Sequence, residues 1–311
     1  MESLALIIPV YNEDQVIEGT VFRLQGILRA ASIFAGEIIC VNDGSTDKTA
    51  QILDRLPGIT VLSHDVNRGY GAALRTALDY CSEEWIFIVD ADGTYPLEDL
   101  PRLLEETKNA YDMVIGARQG PGISSNPAKR LARWILRKLV HGVTGVMVPD
   151  LNSGMRVFRR ALYREFRHLL PMGFSFTSTI TVASLYTGYR LKYIPIVYSK
   201  RVGDSNIRPI RDFFGFTILI LRLASYFEPL KFFLPLSTFV AIAAILRGVR
   251  DVLVVNYIGG VAIILMFFSF QILAIGILAD VVVRRSLSSS TPAGAAEKRF
   301  VVKKNPPKAG V

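Results

Sequence analysis

Residues 85–96 read WIFIVDADGTYP, an apolar run that stops on two carboxylates. Ile86, Phe87, Ile88 and Val89 are β-branched or aromatic, as in a strand buried on both faces of a parallel sheet. Asp90-Ala91-Asp92-Gly93 then ends the run, and the glycine lets the chain turn sharply. The carboxyl end of a buried parallel strand is where α/β folds place ligands. Carboxylates at i and i+2 in a loop reach one hard cation, and such a cation usually also binds substrate phosphates. Alone, the run serves equally as an ordinary turn, so its meaning depends on what stands beside it.

Its neighbours alternate strand and helix. Strands are expected at 4–10, 37–41, 59–62, 85–89 and 113–115, and helices at 15–31, 46–56, 69–80 and 97–110. This alternation predicts an α/β fold, a mostly parallel Rossmann-like sheet with helices on both faces. Three strands end in polar, turn-forming motifs on one edge of such a sheet: Pro9-Val10-Tyr11-Asn12-Glu13, Val41-Asn42-Asp43-Gly44-Ser45-Thr46-Asp47, and Asp90-Ala91-Asp92-Gly93. Further along, 128–140 is a basic amphipathic helix carrying Lys129, Arg130, Arg133, Arg137 and Lys138 among Leu131, Trp134, Ile135 and Leu139. It fits a solvated face or a membrane interface. A loop leading into a strand follows at 150–160, then a helix at 178–186, a strand at 191–198 and a basic, turn-rich segment at 200–211.

Near Phe213 the composition changes. The segment to Phe227 is apolar with one charge, Arg222, and Glu228 follows it, which suits a helix lying in a membrane interface. Residues 232–246 carry no charge, and Lys231 and Arg247 can snorkel to lengthen that span. Residues 252–279 run for 28 residues without a charge, more than the roughly 20 that cross a bilayer. The expected organisation is a catalytic domain at 1–208, interfacial helices at 209–229, a transmembrane hairpin at 230–285 (spans 230–248 and 256–283), and a disordered basic tail at 286–311. Arg284-Arg285 and the tail lysines put the catalytic domain and both termini on the cytoplasmic side of a multi-pass cell-membrane protein. Gly259-Gly260 and Gly276 offer small positions for a homo-oligomer.

The formal charge of +9 favours an anionic partner such as a membrane surface or a phosphorylated substrate. There is no aromatic–basic RNA motif or zinc-finger spacing, so no nucleic acid is expected. The N-terminus has no basic leader pattern, and MESLALIIPV reads as a strand. Cys40 and Cys81 read as small core residues rather than a disulfide framework.

PVYNE, VNDGSTD and DAD in this order and spacing resemble the inverting family 2 glycosyltransferases of the GT-A fold, over about residues 1–215. Gly116-Ala117-Arg118, residues 150–156, residues 201–208 and the hairpin narrow the resemblance to the polyprenyl-phosphate glycosyltransferases, the group with dolichol-phosphate mannose and glucose synthases. The resemblance implies transfer of a hexose from a nucleotide sugar (GDP-mannose or UDP-glucose) to a polyprenyl phosphate lipid. It implies that Pro9, Tyr11, Glu13, Asp43, Asp90 and Ala91 line the nucleotide site. Asp90 and Asp92 would hold Mg²⁺ or Mn²⁺. The catalytic set would be Asp92, Asp150 and Arg118, with Arg118, Arg130, Arg201, Ser205 and Arg208 at the acceptor phosphate. Relatives carry a metal-supporting glutamine two positions after the second Asp, where this chain has Thr94.

Two other readings differ from this one. A processive polysaccharide synthase carries Gln-x-x-Arg-Trp; here Arg133-Trp134 is preceded by Arg130 in place of the glutamine. A catalytically silent scaffold would bind nucleotide sugars without needing both Asp90 and Asp92.

Overall fold

The computed structural model describes residues 3–33, 35–122, 127–173, 175–199, 229–288 and 301–304. The chain divides into two compact units, residues 1–217 with 297–311, and residues 218–296.

The first unit is built on an eight-stranded sheet. Its strands are β1 (Leu4–Val10), β2 (Ala35–Asn42), β3 (Thr60–Ser63), β4 (Trp85–Ile88), β5 (Met113–Gln119), β6 (Arg156–Arg159), β7 (Leu191–Val197) and β8 (Val301–Lys304). Their spatial order is β7-β5-β6-β4-β1-β2-β3-β8. β1 lies parallel to β2 and β4, β2 to β3, and β5 to β7, whereas β6 and β8 run antiparallel to their neighbours. All seven residues of β1 are buried, as the unbroken apolar run of a central strand requires.

Helices α1 (Ile17–Ala30), α2 (Thr49–Leu53), α3 (Tyr70–Tyr80), α4 (Leu100–Thr107), α5 (Pro127–Thr144), α6 (Arg160–Phe166) and α7 (Phe176–Tyr186) connect the strands. Ile17, Val21, Leu24 and Leu28 form the buried stripe of α1, spaced three and four apart. The expected helix at 97–110 divides into a 3₁₀ turn at Leu97–Asp99 and α4, where Pro101 sits in the first turn. α2 is shorter than expected because the residues before Lys48 are drawn into hydrogen bonds with the first motif: Thr46 N–H donates to Asn12 Oδ1 at 2.8 Å. Sequence reading missed α6, although its buried Leu162, Tyr163 and Phe166 carry a helical spacing. Cys40 and Cys81 are buried free thiols.

One expectation is corrected within the tail. Val301–Lys304 is not disordered but pairs antiparallel with Thr60–Ser63. The tail supplies two valines in a row, and β3 is an edge strand that offers its unpaired backbone groups.

The second unit contains two helices, Pro229–Val255 and Gly260–Ser288, each long and apolar enough to cross a membrane. The first is longer than the expected 230–248. Arg247 pairs with Asp251 at 3.2 Å one turn on, so the helix carries both charges instead of breaking before them. Asn256, with φ 56°, begins the short link. The two helices are joined across their middles by Ser269, whose hydroxyl donates to the Ser237 carbonyl at 2.9 Å. Of the glycines noted as small contact positions, Gly259 and Gly276 pack within the hairpin itself, and Gly260 has no close neighbour. A Cβ on Gly276 would stand 2.6 Å from Phe233 Cβ, and one on Gly259 would stand 2.5 Å from Asp251 Oδ2. The expected interfacial helices at 209–229 lie almost wholly outside the described residues.

Gly44 fixes the approach of the second motif to its neighbour. Its φ is +68°, and a Cβ there would stand 2.5 Å from the carbonyl carbon of Val66. Gly44→Ala imposes a left-handed backbone on an L residue and a clash with backbone that cannot rotate away. We expect a loss of more than about 2 kcal/mol, read as a clear fall in Tm; an unchanged Tm would contradict this account.

Candidate active site

The polar motifs gather at one edge of the sheet. β1, β2, β4 and β5 all deliver their carboxyl ends there. The antiparallel β6 delivers its beginning, so the 150–155 loop arrives at the same edge. Ile88 of β4 and Ile115 of β5 both pair with Arg156 of β6. This register sets Asp90, Arg118 and the 150–155 loop side by side.

The first two motifs are latched together. Asn12 takes a left-handed conformation (φ 54°), which asparagine tolerates better than most residues. Its backbone N–H donates to Ser45 Oγ at 3.1 Å and its amide Nδ2 to Thr46 Oγ1 at 3.3 Å. Glu13 N–H donates to Thr49 Oγ1 at 2.9 Å, and Asp14 N–H to Asp47 Oδ2 at 3.3 Å. Pro9 is buried beneath this latch, Glu13 is half-buried, and Tyr11 is left exposed at 38%.

Asp43 has a task that its motif alone did not announce. Buried at 3% exposure, it ties down the loop before α3. Its Oδ1 meets His64 Nδ1 at 2.6 Å and accepts from Arg68 N–H at 2.9 Å, and its Oδ2 accepts from Gly69 N–H at 2.8 Å. An ionised carboxylate only accepts, so the proton of a neutral His64 sits on Nδ1. His64 Nε2 then accepts from the Thr76 hydroxyl at 2.8 Å.

The Asp90-Ala91-Asp92 loop is held from three sides. The Ala91 carbonyl accepts from Thr20 Oγ1 of α1 at 3.2 Å. Thr94, 1% exposed, donates its hydroxyl to Asp92 Oδ1 at 2.6 Å and its N–H to the same oxygen at 3.2 Å. Thr94 therefore steadies Asp92. Asp90 Oδ1 accepts from the Tyr70 hydroxyl at 2.9 Å. Gly154 gives the carboxylate room, because a Cβ there would stand 2.4 Å from Asp90 Oδ2. Tyr95 holds that glycine by accepting its N–H at 2.7 Å.

Across from these acids, Arg118 grips Asp150 through both arms of its fork. Nε donates to Oδ2 at 2.7 Å and Nη2 to Oδ1 at 2.9 Å, and the Arg118 backbone N–H adds a third contact to Oδ2 at 3.2 Å. Charge-assisted bidentate pairs of this kind are strong and directional. Burial works against the Asp150 charge, but Arg118 outweighs it and holds the carboxyl below its ordinary range. The guanidinium also lies over the Tyr198 ring, 5.3 Å from its centroid. Beneath the loop, fully buried Arg156 donates Nε and Nη2 to the Ser153 carbonyl at 3.1 and 2.5 Å. Its Nη1 donates to the Thr177 carbonyl at 3.0 Å and to Thr181 Oγ1 at 2.9 Å. Sequence reading did not single out Arg156 as a site residue. The signal was a cation set between apolar neighbours, Met155 before it and Val157 and Phe158 after it.

Of the other acceptor-side residues, Arg130 is exposed on α5. Arg201, Ser205 and Arg208 lie outside the described residues. Among the described residues no three His, Cys, Asp or Glu side chains cluster as a metal site. Asp90 and Asp92 are thus a two-carboxylate donor set. That set suits a hard divalent ion taking its remaining ligands from a diphosphate and water, but not a self-contained protein cage.

Residues 5–167 match the model of glycosyl transferase family 2, and residues 228–284 match that of the GtrB C-terminal hairpin. A dolichyl-phosphate hexose transferase of Haloferax volcanii is 29% identical over 209 residues, 67% of this chain and 88% of the relative. An undecaprenyl-phosphate mannosyltransferase of Micrococcus luteus is 27% identical over 214 residues, 65% of this chain and 86% of the relative. Among solved structures, glucosyl-3-phosphoglycerate synthase of Mycobacterium tuberculosis, in complex with Mn²⁺, UDP and phosphoglyceric acid, superimposes with a TM-score of 0.54 at 17% identity. That match covers 71% of this chain and 76% of the synthase.

Burial first, and then the charge of Asp92, push Asp90 up to about 6. Folding therefore disfavours the Asp90 anion. The penalty is absent below the unfolded value of about 4 and complete above pH 6. At pH 7.5 it is on the order of 2–3 kcal/mol. Asp90→Asn should raise Tm at pH 7.5 in metal-free buffer and change it much less at pH 4.5. A lowered Tm at pH 7.5, or the same gain at both pH values, would contradict this.

Proposed function

Because the chain belongs to glycosyl transferase family 2, we propose that it transfers a hexose from a nucleotide sugar to a polyprenyl phosphate at the cytoplasmic face of a membrane. The observation that carries this reading is the facing of two charge sets at one sheet edge. Asp90 and Asp92 form the acidic set, and the Arg118–Asp150 pair faces them. Relatives named for dolichyl and undecaprenyl phosphate support the acceptor class, and the match to a C-terminal hairpin model supports a membrane setting.

In this reading the latched 9–13 and 42–47 segments form the nucleoside wall, with Tyr11 presented to the base. Asp43 keeps the 64–69 loop in place beside it, and Ala91 lets the diphosphate approach the strand end. Asp90 and Asp92 would hold Mg²⁺ or Mn²⁺, which neutralises charge on the departing nucleoside diphosphate. Thr94 fixes one Asp92 oxygen so that the carboxylate is aimed before substrate arrives. A polyprenyl phosphate is already an anionic nucleophile, so no side chain has to remove a proton from it. Asp150 instead orients Arg118 and the hexose. Arg118, with two arms on Asp150, has its remaining amine Nη1 for the acceptor phosphate, in a group with Arg130, Arg201, Ser205 and Arg208. Attack in line with the leaving diphosphate inverts the anomeric centre, giving a β-linked lipid-phosphate sugar from an α-linked donor. Residues 1–208 act as the catalytic domain, 209–229 as interfacial helices and 230–285 as the membrane hairpin, with both chain ends cytoplasmic. Arg284, Arg285 and the tail lysines favour that orientation.

The test uses the full chain in lipid nanodiscs with Mn²⁺, labelled UDP-glucose or GDP-mannose, and polyprenyl phosphate. Labelled lipid should form with one donor, and Asp92→Asn should lower the rate by at least ~100-fold without changing Tm greatly. Nucleotide binding with no lipid labelled by either donor would overturn the reading, and full activity of the variant would remove Asp92 from its role.

A further inference from the structure

The eighteen residues of α5, PAKRLARWILRKLVHGVT, include five lysines and arginines and no aspartate or glutamate. The helix buries Leu136 and Val140 against the domain. Its exposed residues include Arg130, Leu131, Trp134, Arg137 and Lys138, spaced three and four apart along one face. Trp134, 57% exposed, lies at the centre of that stripe with Arg130 and Arg137 on one side and Lys138 on the other, and Leu131, 58% exposed, lies at its edge beside Lys138. Beyond the helix, Gly145 turns the chain with φ +72°, and Val146 and Met147 are also exposed, at 42% and 58%. Elsewhere among the described residues of this unit, side chains of comparable size and exposure fall singly along the sequence, as at Phe22, Val66 and Val197.

We propose that α5 rests on an anionic lipid surface, with Trp134 and Leu131 entering the headgroup layer and Arg130, Arg137 and Lys138 contacting lipid phosphates. The chemistry selects this occupant. A helix face that sets Trp134 and Leu131 among Arg130, Arg137 and Lys138 matches the apolar and anionic layers of a membrane interface. Tryptophan in particular favours that depth, with its ring in the apolar boundary and its N–H toward water. A second copy of this chain is a poor occupant, because a two-fold contact would set five cations against five cations with no acid on the helix to balance them. Arg133 connects the stripe to the active site. Partial burial, and then the neighbouring Arg137 and Arg118 guanidinium groups, hold it below its ordinary value, and Asp150 acts in the opposite sense. The stripe and the Arg118–Asp150 pair thus share one electrostatic neighbourhood. A lipid phosphate reaching that pair would not have to leave the membrane surface. This inference rests on the membrane setting proposed above, but its test does not depend on catalysis.

The chain has two tryptophans, and the other, Trp85, is 5% exposed inside β4. Intrinsic fluorescence of the full chain in nanodiscs therefore reports Trp134 against a shielded background. With shallow spin-labelled lipid in bilayers containing phosphatidylglycerol, wild-type quenching should exceed that of Trp134→Phe by roughly twofold or more. Arg137→Glu with Lys138→Glu should remove most of that excess and raise KM for polyprenyl phosphate several-fold, leaving KM for the nucleotide sugar unmoved. Equal quenching in wild type and Trp134→Phe would overturn the proposal. So would quenching that the charge reversal leaves intact. Protein-concentration-dependent shielding of Trp134 from iodide in detergent would assign the face to a second copy and would likewise overturn it. An inactive protein that still shows the quenching difference would leave the docking surface standing and count against the transfer reaction alone.

Discussion

Charge in a half-buried hollow is the constraint on which the site depends. Asp90, Asp92 and Asp150 share the sheet edge with Arg118 and Arg156. Left alone, buried ions are costly, and neutralising one partner of a pair is costlier than never having had it. The chain meets this in two ways. Asp150 receives the full fork of Arg118 and stays ionised. Among the described residues, Asp90 receives the Tyr70 hydroxyl at contact distance, with Arg118 and Arg156 acting on it from further off, and its pKa rises. The acid held short of full compensation is one of the two carboxylates proposed to hold a divalent ion. Arg156 makes the complementary bargain, donating to carbonyls and a threonine hydroxyl while its charge acts on the acids above it.

The same side chains that define the motifs also hold their own loops. Asn12 with Ser45 and Thr46, and Asp43 with the Arg68 and Gly69 amides, close gaps between segments far apart in sequence. None of α1, α2 or α3 has a side-chain N-cap. Their starts are instead positioned by the motif loops that precede them. A substitution in these motifs therefore disturbs loop geometry and ligand contacts together, and loss of activity alone does not separate the two.

Much of this was legible in residue order. The buried β1 and β4 were plain from unbroken apolar runs, and the acidic strand ends followed from Asp90-Ala91-Asp92-Gly93 and its companions. What was not legible depended on contacts across the sheet. The pairing of Arg118 with Asp150 needs the antiparallel placement of β6, which no local pattern encodes. The clasp between Asp43 and His64 joins residues 21 apart, and a lone histidine carries no signal of its partner. The role of Thr94 could be posed as a missing glutamine but only geometry turns its hydroxyl onto Asp92. The tail strand went unread because four residues of ordinary β propensity mean little until an open edge such as β3 is known.

Sheet order then explains how the acidic and basic residues of the site come together. The motifs at 9–13, 41–47 and 90–93 lie at the ends of β1, β2 and β4, which are neighbours on one side of β6. Arg118, near the end of β5, and Tyr198, just after β7, lie on the other. β6 runs against both neighbours, so the loop before it, rather than the loop after it, reaches the shared edge. That loop brings Gly154 to Asp90 and Asp150 to Arg118 within five residues. Were β6 parallel, its preceding loop would open on the opposite edge, and the acids and the arginine would face each other with nothing between them to set their spacing. The antiparallel strand is thus the element that joins an acidic half-site to a basic one, and buried Arg156 at its start is what fixes the joint.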